Sequence, residues 1–218
     1  MPSNRYPFIA REGWPFLIAL LVLAVLCQIF IHTAVMLFVL LLMAGLAYLF
    51  RDPFRPIPSQ PLAVLSPVYG VVTLVEEAEE VRLHTRANRI QIDTRIQDVY
   101  SLRSPIEGKV MQHWCSNPCA NEKRRHFDFH IKSDEGDNIV TAIRLRDIIP
   151  SFHVYLHSGE RVGHGQRCGY IFFGGVVDIF LPLECKIQVE EGQEVESGST
   201  ILAQLIHSEA TSAIPKVE

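Results

Sequence analysis

The chain has no surplus of positive charge. Twenty Lys and Arg stand against twenty-four Asp and Glu, for a formal net charge of −4. A nucleic-acid partner would usually demand a strong basic bias, so none is expected. The chain also lacks the cysteine density of a disulfide framework. Cys27, Cys115, Cys119, Cys168 and Cys185 are few for 218 residues and odd in number, which suits a reducing compartment. From Phe16 to Phe50 formal charge is missing altogether. The mean hydropathy is positive, +0.17, because the apolar residues are concentrated at this end.

What is there begins with two apolar runs, Phe16 to Ile31 and, after His32-Thr33, Ala34 to Phe50. Each is somewhat short of the ~20 residues of a full bilayer span. Joined by two weakly polar residues, they predict a tight helical hairpin that crosses a membrane twice or dips into one leaflet. The bland alternative is a buried helical pair in a globular core. A cleaved signal peptide is not expected, because the second run follows at once without a small-residue cleavage site. Arg5, Arg11, Arg51 and Arg55 flank the hairpin while its connection holds only His32, so the positive-inside tendency places both ends in the cytoplasm. Trp14 and Tyr48 stand where interfacial aromatics are common. The prolines of Arg51 to Pro61, R-D-P-F-R-P-I-P-S-Q-P, stop the helix and make an extended linker. The expected division is a membrane-associated hairpin over 1–55 and a β-rich domain over 56–218.

Beyond Leu62, short β-branched and aromatic runs recur between glycine and charged turns: 62–65, 71–75, 89–92, 127–131, 139–145, 152–156, 170–173, 176–181, 186–189 and 200–206. About ten strands at this spacing predict an antiparallel barrel or sandwich, α+β overall with the hairpin. A short helix is expected only over 144–149 and in the loop after Cys115. Two segments echo each other: Ser66-Pro67-Val68-Tyr69-Gly70-Val71-Val72 and Ser104-Pro105-Ile106-Glu107-Gly108-Lys109-Val110. With the double turn Glu190 to Ala203 they resemble the hammerhead elements of biotinyl and lipoyl barrels. Lys109 and Lys186 lie in strand-like contexts rather than at a hairpin tip, so the likeness is one of architecture and not of carrier function.

Residues Cys168 to Pro182 read C-G-Y-I-F-F-G-G-V-V-D-I-F-L-P. This stretch resembles the processing site of short bacterial phosphatidylserine decarboxylases, where F-G-S is followed by x-x-D-x-x-L-P. The resemblance runs along nearly the whole chain, through I-A-R-E-G-W-P-F (Ile9 to Phe16), F-R-D-P-F-R-P-I-P (Phe50 to Pro58), Ser66 to Gly70 and Arg161-Val162-Gly163. It implies a membrane-associated protein of phospholipid metabolism. In that family the chain cuts itself between Gly and Ser, and the Ser becomes a covalent pyruvoyl group.

The family's chemical positions are occupied differently here. Gly175 stands at the serine, Tyr69 at the acid of the aspartate-glycine motif, and Tyr100 or Arg103 at the histidine. Self-cleavage needs a base beside a hydroxyl, and a later step needs a proton donor. A tyrosine titrating near ~10 and a permanently charged arginine are not natural bases. The expectation is a non-catalytic relative that binds an aminophospholipid (phosphatidylserine or phosphatidylethanolamine) or pairs with an active family member or another copy. No cofactor is expected, and the location implied is the cytoplasmic face of a bacterial inner membrane. Two other readings stay open. One is an active decarboxylase making phosphatidylethanolamine through Gly198-Ser199, which mimics the glycine-serine-threonine site of longer relatives and would carry pyruvoyl. The other is a structural membrane scaffold.

Weaker constellations remain. His113, Cys115, Cys119 and His126 could ligate zinc, although the loop offers no second compact ligand pair. Lys123, Arg124 and Arg125 could meet lipid phosphates. Glu76 to Glu80 reads as an exposed turn, and His84, His130 and His153 read as sheet positions.

Overall fold

The computed structural model describes residues 13–30, 33–53, 55–95, 98–116, 126–145 and 152–206. Two helices, α1 (Trp14–Phe30) and α2 (Thr33–Leu49), form the hairpin. They pack through Ala24, Cys27 and Val39, while their outer apolar side chains stay exposed. Each has 17 residues, about 26 Å of rise. No helix among the described residues is long and apolar enough to cross a membrane, so the expected transmembrane pair is corrected to a hairpin of two short arms.

Among the described residues fourteen strands follow where the sequence suggested about ten. They are β1 (Ala63–Leu65), β2 (Gly70–Glu80), β3 (Thr85–Thr94), β4 (Ser101–Arg103), β5 (Gly108–Ser116), β6 (His126–Lys132) and β7 (Asn138–Leu145). The rest are β8 (Phe152–Val154), β9 (Arg161–Val162), β10 (Arg167–Ile171), β11 (Gly175–Leu181), β12 (Cys185–Ile187), β13 (Glu194–Val195) and β14 (Ile201–Leu205). Glu76 to Glu80 belongs to β2 and not to a turn, with Glu76 ion-paired to Arg89 at 3.0 Å. His130 and His153 are sheet residues as expected, but His84 sits in the β2–β3 turn at φ 52°. The helix expected over 144–149 begins inside β7, and 146–151 lie outside the described residues.

The sheet orders expose a symmetry. The large sheet runs β13-β2-β3-β11-β7-β6-β5-β9, and two small sheets run β1-β14-β12 and β4-β10-β8. Exchanging β1–β3 with β4–β6 and β11–β14 with β7–β10 maps each order onto itself or its twin. The hydrogen bonds follow. Leu65 N donates to Pro105 O and Arg103 N to Pro67 O; Gly198 N donates to Ser66 O and Gly165 N to Ser104 O; Gly192 N donates to Val72 O and Gly159 N to Val110 O. Ser66 and Ser104 each turn a hydroxyl onto a carbonyl two residues ahead, both at 2.6 Å. The sequence echo is therefore the visible part of a duplication. The segments Gly159-x-x-Val162-x-x-Gly165 and Gly192-x-x-Val195-x-x-Gly198 are its second half.

Period-two alternation supplies the core. On β11, Val177, Ile179 and Leu181 are buried inward, together with Ile90 and Ile92 of β3, Phe129 and Ile131 of β6 and Ile143 of β7. The hairpin joins this body through a second cluster. Phe50 stacks on Tyr170 with centroids 5.8 Å apart and meets Phe172 edge-on at 5.6 Å.

Candidate functional site

The turn from β10 into β11 holds the glycine pair Gly174-Gly175, which the resemblance sets at the family's processing position. Phe173 and Gly174 both have positive φ, 61° and 75°, the former an uncommon conformation for a residue with a β-carbon. Gly175 then enters the ladder, opposite Thr94 of β3 on one side and Leu145 of β7 on the other. A β-carbon at Gly175 would stand 2.6 Å from the Arg144 carbonyl oxygen. The family's pyruvoyl group does not fit this site. Gly175 supplies neither the hydroxyl nor the β-carbon from which it is made, and the neighbouring strand occupies the space a serine would need. Thr94, opposite Gly175, has a buried hydroxyl with no hydrogen-bond partner among the described residues.

The two tyrosines lie around the same end of the sheet. Tyr100 is buried, meets Tyr170 edge-on at 5.8 Å and lies 6.2 Å from Phe173, beside the turn. Burial, seconded by the charge of Asp98, pushes its phenol up to about 12. Tyr69 precedes Gly70 at the start of β2, with the Arg55 guanidinium 5.1 Å over its ring. Burial raises its phenol too, followed by the charges of Glu194 and Asp98.

Asp98 is the site residue that sequence reasoning missed. It is buried, its Oδ2 accepts the Arg95 N–H at 2.7 Å, and burial holds its carboxyl above the usual range against that hydrogen bond. The available signal was its place two residues before Tyr100, in the D-V-Y run at the histidine position. Two phenols and a carboxyl, each raised above its ordinary value by burial, thus stand together at this end of the sheet.

Arg103 is elsewhere. It is buried in β4, with Nη2 donating to Asp52 Oδ1 at 3.3 Å and Nη1 to the Gly165 carbonyl at 3.4 Å. Arg167 Nη1 lies 3.8 Å from Asp52 Oδ2. Arg103 anchors the linker, and of the two residues the resemblance sets at the histidine only Tyr100 lies beside the turn. Ser199 is apart as well. Its N–H donates to Glu196 O at 3.2 Å inside a turn, and the duplication pairs it with Gln166.

The weak zinc candidates lie only partly within the described residues. No group of three or more His, Cys, Asp or Glu among the described residues could hold a metal. His113 bonds Ser158 Oγ through Nδ1 at 3.0 Å, Cys115 is exposed further along β5, and His126 opens β6 opposite Ser116. Cys119 and the basic residues 123–125 lie outside the described residues.

A duplicated β-rich domain with a curled eight-stranded sheet and a glycine pair between β10 and β11 defines the class, and known relatives name it. The sequence model described as phosphatidylserine decarboxylase matches residues 42–203. The chain is 33% identical over 210 residues to the phosphatidylserine decarboxylase proenzyme of Paraburkholderia xenovorans (strain LB400), covering 92% of this chain and 98% of the relative. It is 33% identical over 208 residues to the proenzyme of Nitrosomonas eutropha, covering 91% and 96%. It is 34% identical over 210 residues to that of Burkholderia lata, covering 92% and 97%. No solved structure matches. The chain belongs to the phosphatidylserine decarboxylase family and so to the proteins of phospholipid metabolism.

Proposed function

We propose that this chain is a non-catalytic member of the family that is held at a membrane by its hairpin and binds an aminophospholipid beside the former processing turn. One observation carries the loss of catalysis. Gly175 has no side chain, and a β-carbon there would collide with the Arg144 carbonyl. The membrane reading rests on the uncharged hairpin, whose apolar side chains Leu41 and Ile29 remain 69% and 66% exposed. Arms of this length suit insertion into one leaflet at the cytoplasmic face of a bacterial inner membrane. The aromatic seam of Phe50, Tyr170 and Tyr100 runs from the hairpin to the turn, and Asp98 and Glu194 offer carboxyls to a cationic headgroup amine there. The partner implied is a membrane lipid, phosphatidylserine or phosphatidylethanolamine.

The test is the intact mass of the detergent-solubilised chain, followed by flotation with vesicles. A single species at 24.7 kDa is expected, with more chain bound to vesicles containing phosphatidylserine than to phosphatidylglycerol vesicles of equal charge. Two fragments, the smaller beginning at Ser199 with a blocked carbonyl-bearing terminus, would restore the enzyme. Equal binding to both vesicles would favour a scaffold without lipid preference.

A further inference from the structure

Where the hairpin joins the β domain, the cations are matched to carboxylates with one exception among the described residues. Arg55 pairs with Glu196 at 3.4 Å and Arg95 with Glu194 at 3.8 Å, while Arg103 and Arg167 share Asp52. Arg51 has no carboxylate partner among the described residues. It stands two residues beyond α2, with its guanidinium 3.8 Å over the exposed Tyr48 ring and Nη1 donating to the Tyr48 carbonyl at 3.4 Å. A guanidinium held over a ring in this way keeps further N–H donors for an oxyanion.

A group of opposite sign lies near it. Phe50, the residue before Arg51, stacks on Tyr170, and Tyr170 meets Tyr100, two residues from Asp98. Burial pushes the Asp98 carboxyl and the Tyr100 phenol up, and the Arg51 charge opposes both, so the guanidinium is within electrostatic reach of each. The two charges do not meet: among the described residues the Asp98 carboxyl accepts only the Arg95 N–H. A cation and a carboxyl held apart on a surface are complementary to a ligand that holds an anion and a cation apart. Their order selects the ligand. Arg51 directly follows an arm of the hairpin, and Asp98 belongs to the β domain beyond it. In an aminophospholipid the acyl chains lead to the phosphodiester and then to the primary amine, in the same order. A headgroup with phosphate but no amine leaves Asp98 unanswered, and an amine without phosphate leaves Arg51 unanswered.

We infer that Arg51 takes the phosphodiester of the ligand whose amine meets Asp98, so that the site reads phosphate and amine together. This rests on the lipid reading proposed above and assigns it a specificity residue. The experiment is titration calorimetry of the full chain in nonionic detergent micelles, with lysophosphatidylethanolamine and an alkylamine of equal chain length as probes. The wild type should bind the phospholipid about tenfold more tightly, the worth of one hydrogen bond between charged groups. Arg51→Gln should lose that preference and keep the alkylamine affinity, and Arg51→Lys should retain most of it. Arg86→Gln removes the same charge from an exposed position at the opposite end of β3 and should change neither affinity. Soluble glycerophosphoethanolamine as competitor separates the sources: weak displacement marks a lipid as the ligand, and displacement at equal concentration a free phosphoester. An equal loss for both probes in Arg51→Gln, the signature of a merely structural role, overturns the inference. So does a wild type that binds the two probes alike, which leaves the proposed function standing. A wild type that binds neither removes the proposed function and this inference with it.

Discussion

The two halves of the β domain share strands, turns and hydrogen bonds, and differ where one of them meets the hairpin. Leu65 of the first half is a fully buried core residue; its twin in the second half is Arg103. Thr200 is partly exposed, and its twin is the buried Arg167. The two arginines converge on Asp52, which arrives from the linker immediately after the hairpin. The other difference lies at the sheet end. In the second half, β6 and β7 are joined by the tight turn Ser133–Asp137, closed by the Ser133 N–H on the Asp137 carbonyl. The register pairs Lys132 with Asn138 there and Asp93 with Val176 in the first half, so Thr94 and Gly175 are the counterparts of Ser133 and Asp137. The first half's turn has been opened and the entire second half threaded through it. Gly175 is therefore one lip of an opened hairpin, and the anchor for the hairpin helices is a broken core symmetry.

Breaking the anchor should have the largest effect. Asp52→Ala leaves two buried guanidiniums without their carboxylate and should cost about 3–5 kcal/mol in urea unfolding. The triple variant Asp52→Leu/Arg103→Leu/Arg167→Thr gives the second half the first half's residues, and should recover most of that loss. If it is no more stable than Asp52→Ala, the two halves are not interchangeable at this point.

Next comes the lip. Gly175→Ser must displace the Arg144 carbonyl and should cost about 1–3 kcal/mol as overpacking, whereas Asp137→Ser at the intact turn should cost clearly less. The serine variant should also remain a single chain by mass, since Tyr69 and Tyr100 provide no base. Efficient cleavage would show that one hydroxyl was the whole deficit.

A smaller effect is expected at Asp98. Its folded carboxyl titrates above the unfolded one, so the native state holds the extra proton between the two values, and stability falls as pH rises through that window. Asp98→Asn keeps an acceptor for Arg95 and removes the slope. The variant's thermal midpoint should exceed the wild type's at neutral pH, with the gap closing toward the usual carboxylate range. A constant gap would mean that Asp98 does not titrate in that window.

The smallest effect belongs to Ser199. Ser199→Ala in an ordinary turn should change stability by no more than about 0.5 kcal/mol and leave the intact mass unaltered. Its twin, Gln166→Ala, should cost more, because that side chain accepts the Gly163 N–H at 2.8 Å.

Much of this was legible in the residues, for identifiable reasons. The hairpin shows in two uncharged runs, and the longer inward-facing strands show because β-branched and aromatic residues alternate there. Strands β4, β9 and β13 are two or three residues long and carry no period, so no local pattern reveals them. β5 is mixed in polarity along Met111 to Ser116, and Glu76 to Glu80 is a charged strand edge that composition alone reads as a turn. At the candidate site, Tyr69, Tyr100 and Gly175 were found through their motifs. Asp98 and the true position of Arg103 were not, because the burial of Asp98 is a property of the folded sheet and Arg103 depends on Asp52 and Gly165, about fifty residues or more away.

The sequence by itself determined the family, the uncharged hairpin and the absence of a hydroxyl at residue 175, since each is a property of residue identity and local order. Only the tertiary structure decided that Arg103 meets the linker while Tyr100 lies beside the β10–β11 turn, and that a β-carbon at residue 175 meets the Arg144 carbonyl. These depend on register between strands distant in the chain, and register is set by how two copies of one motif close around a shared core.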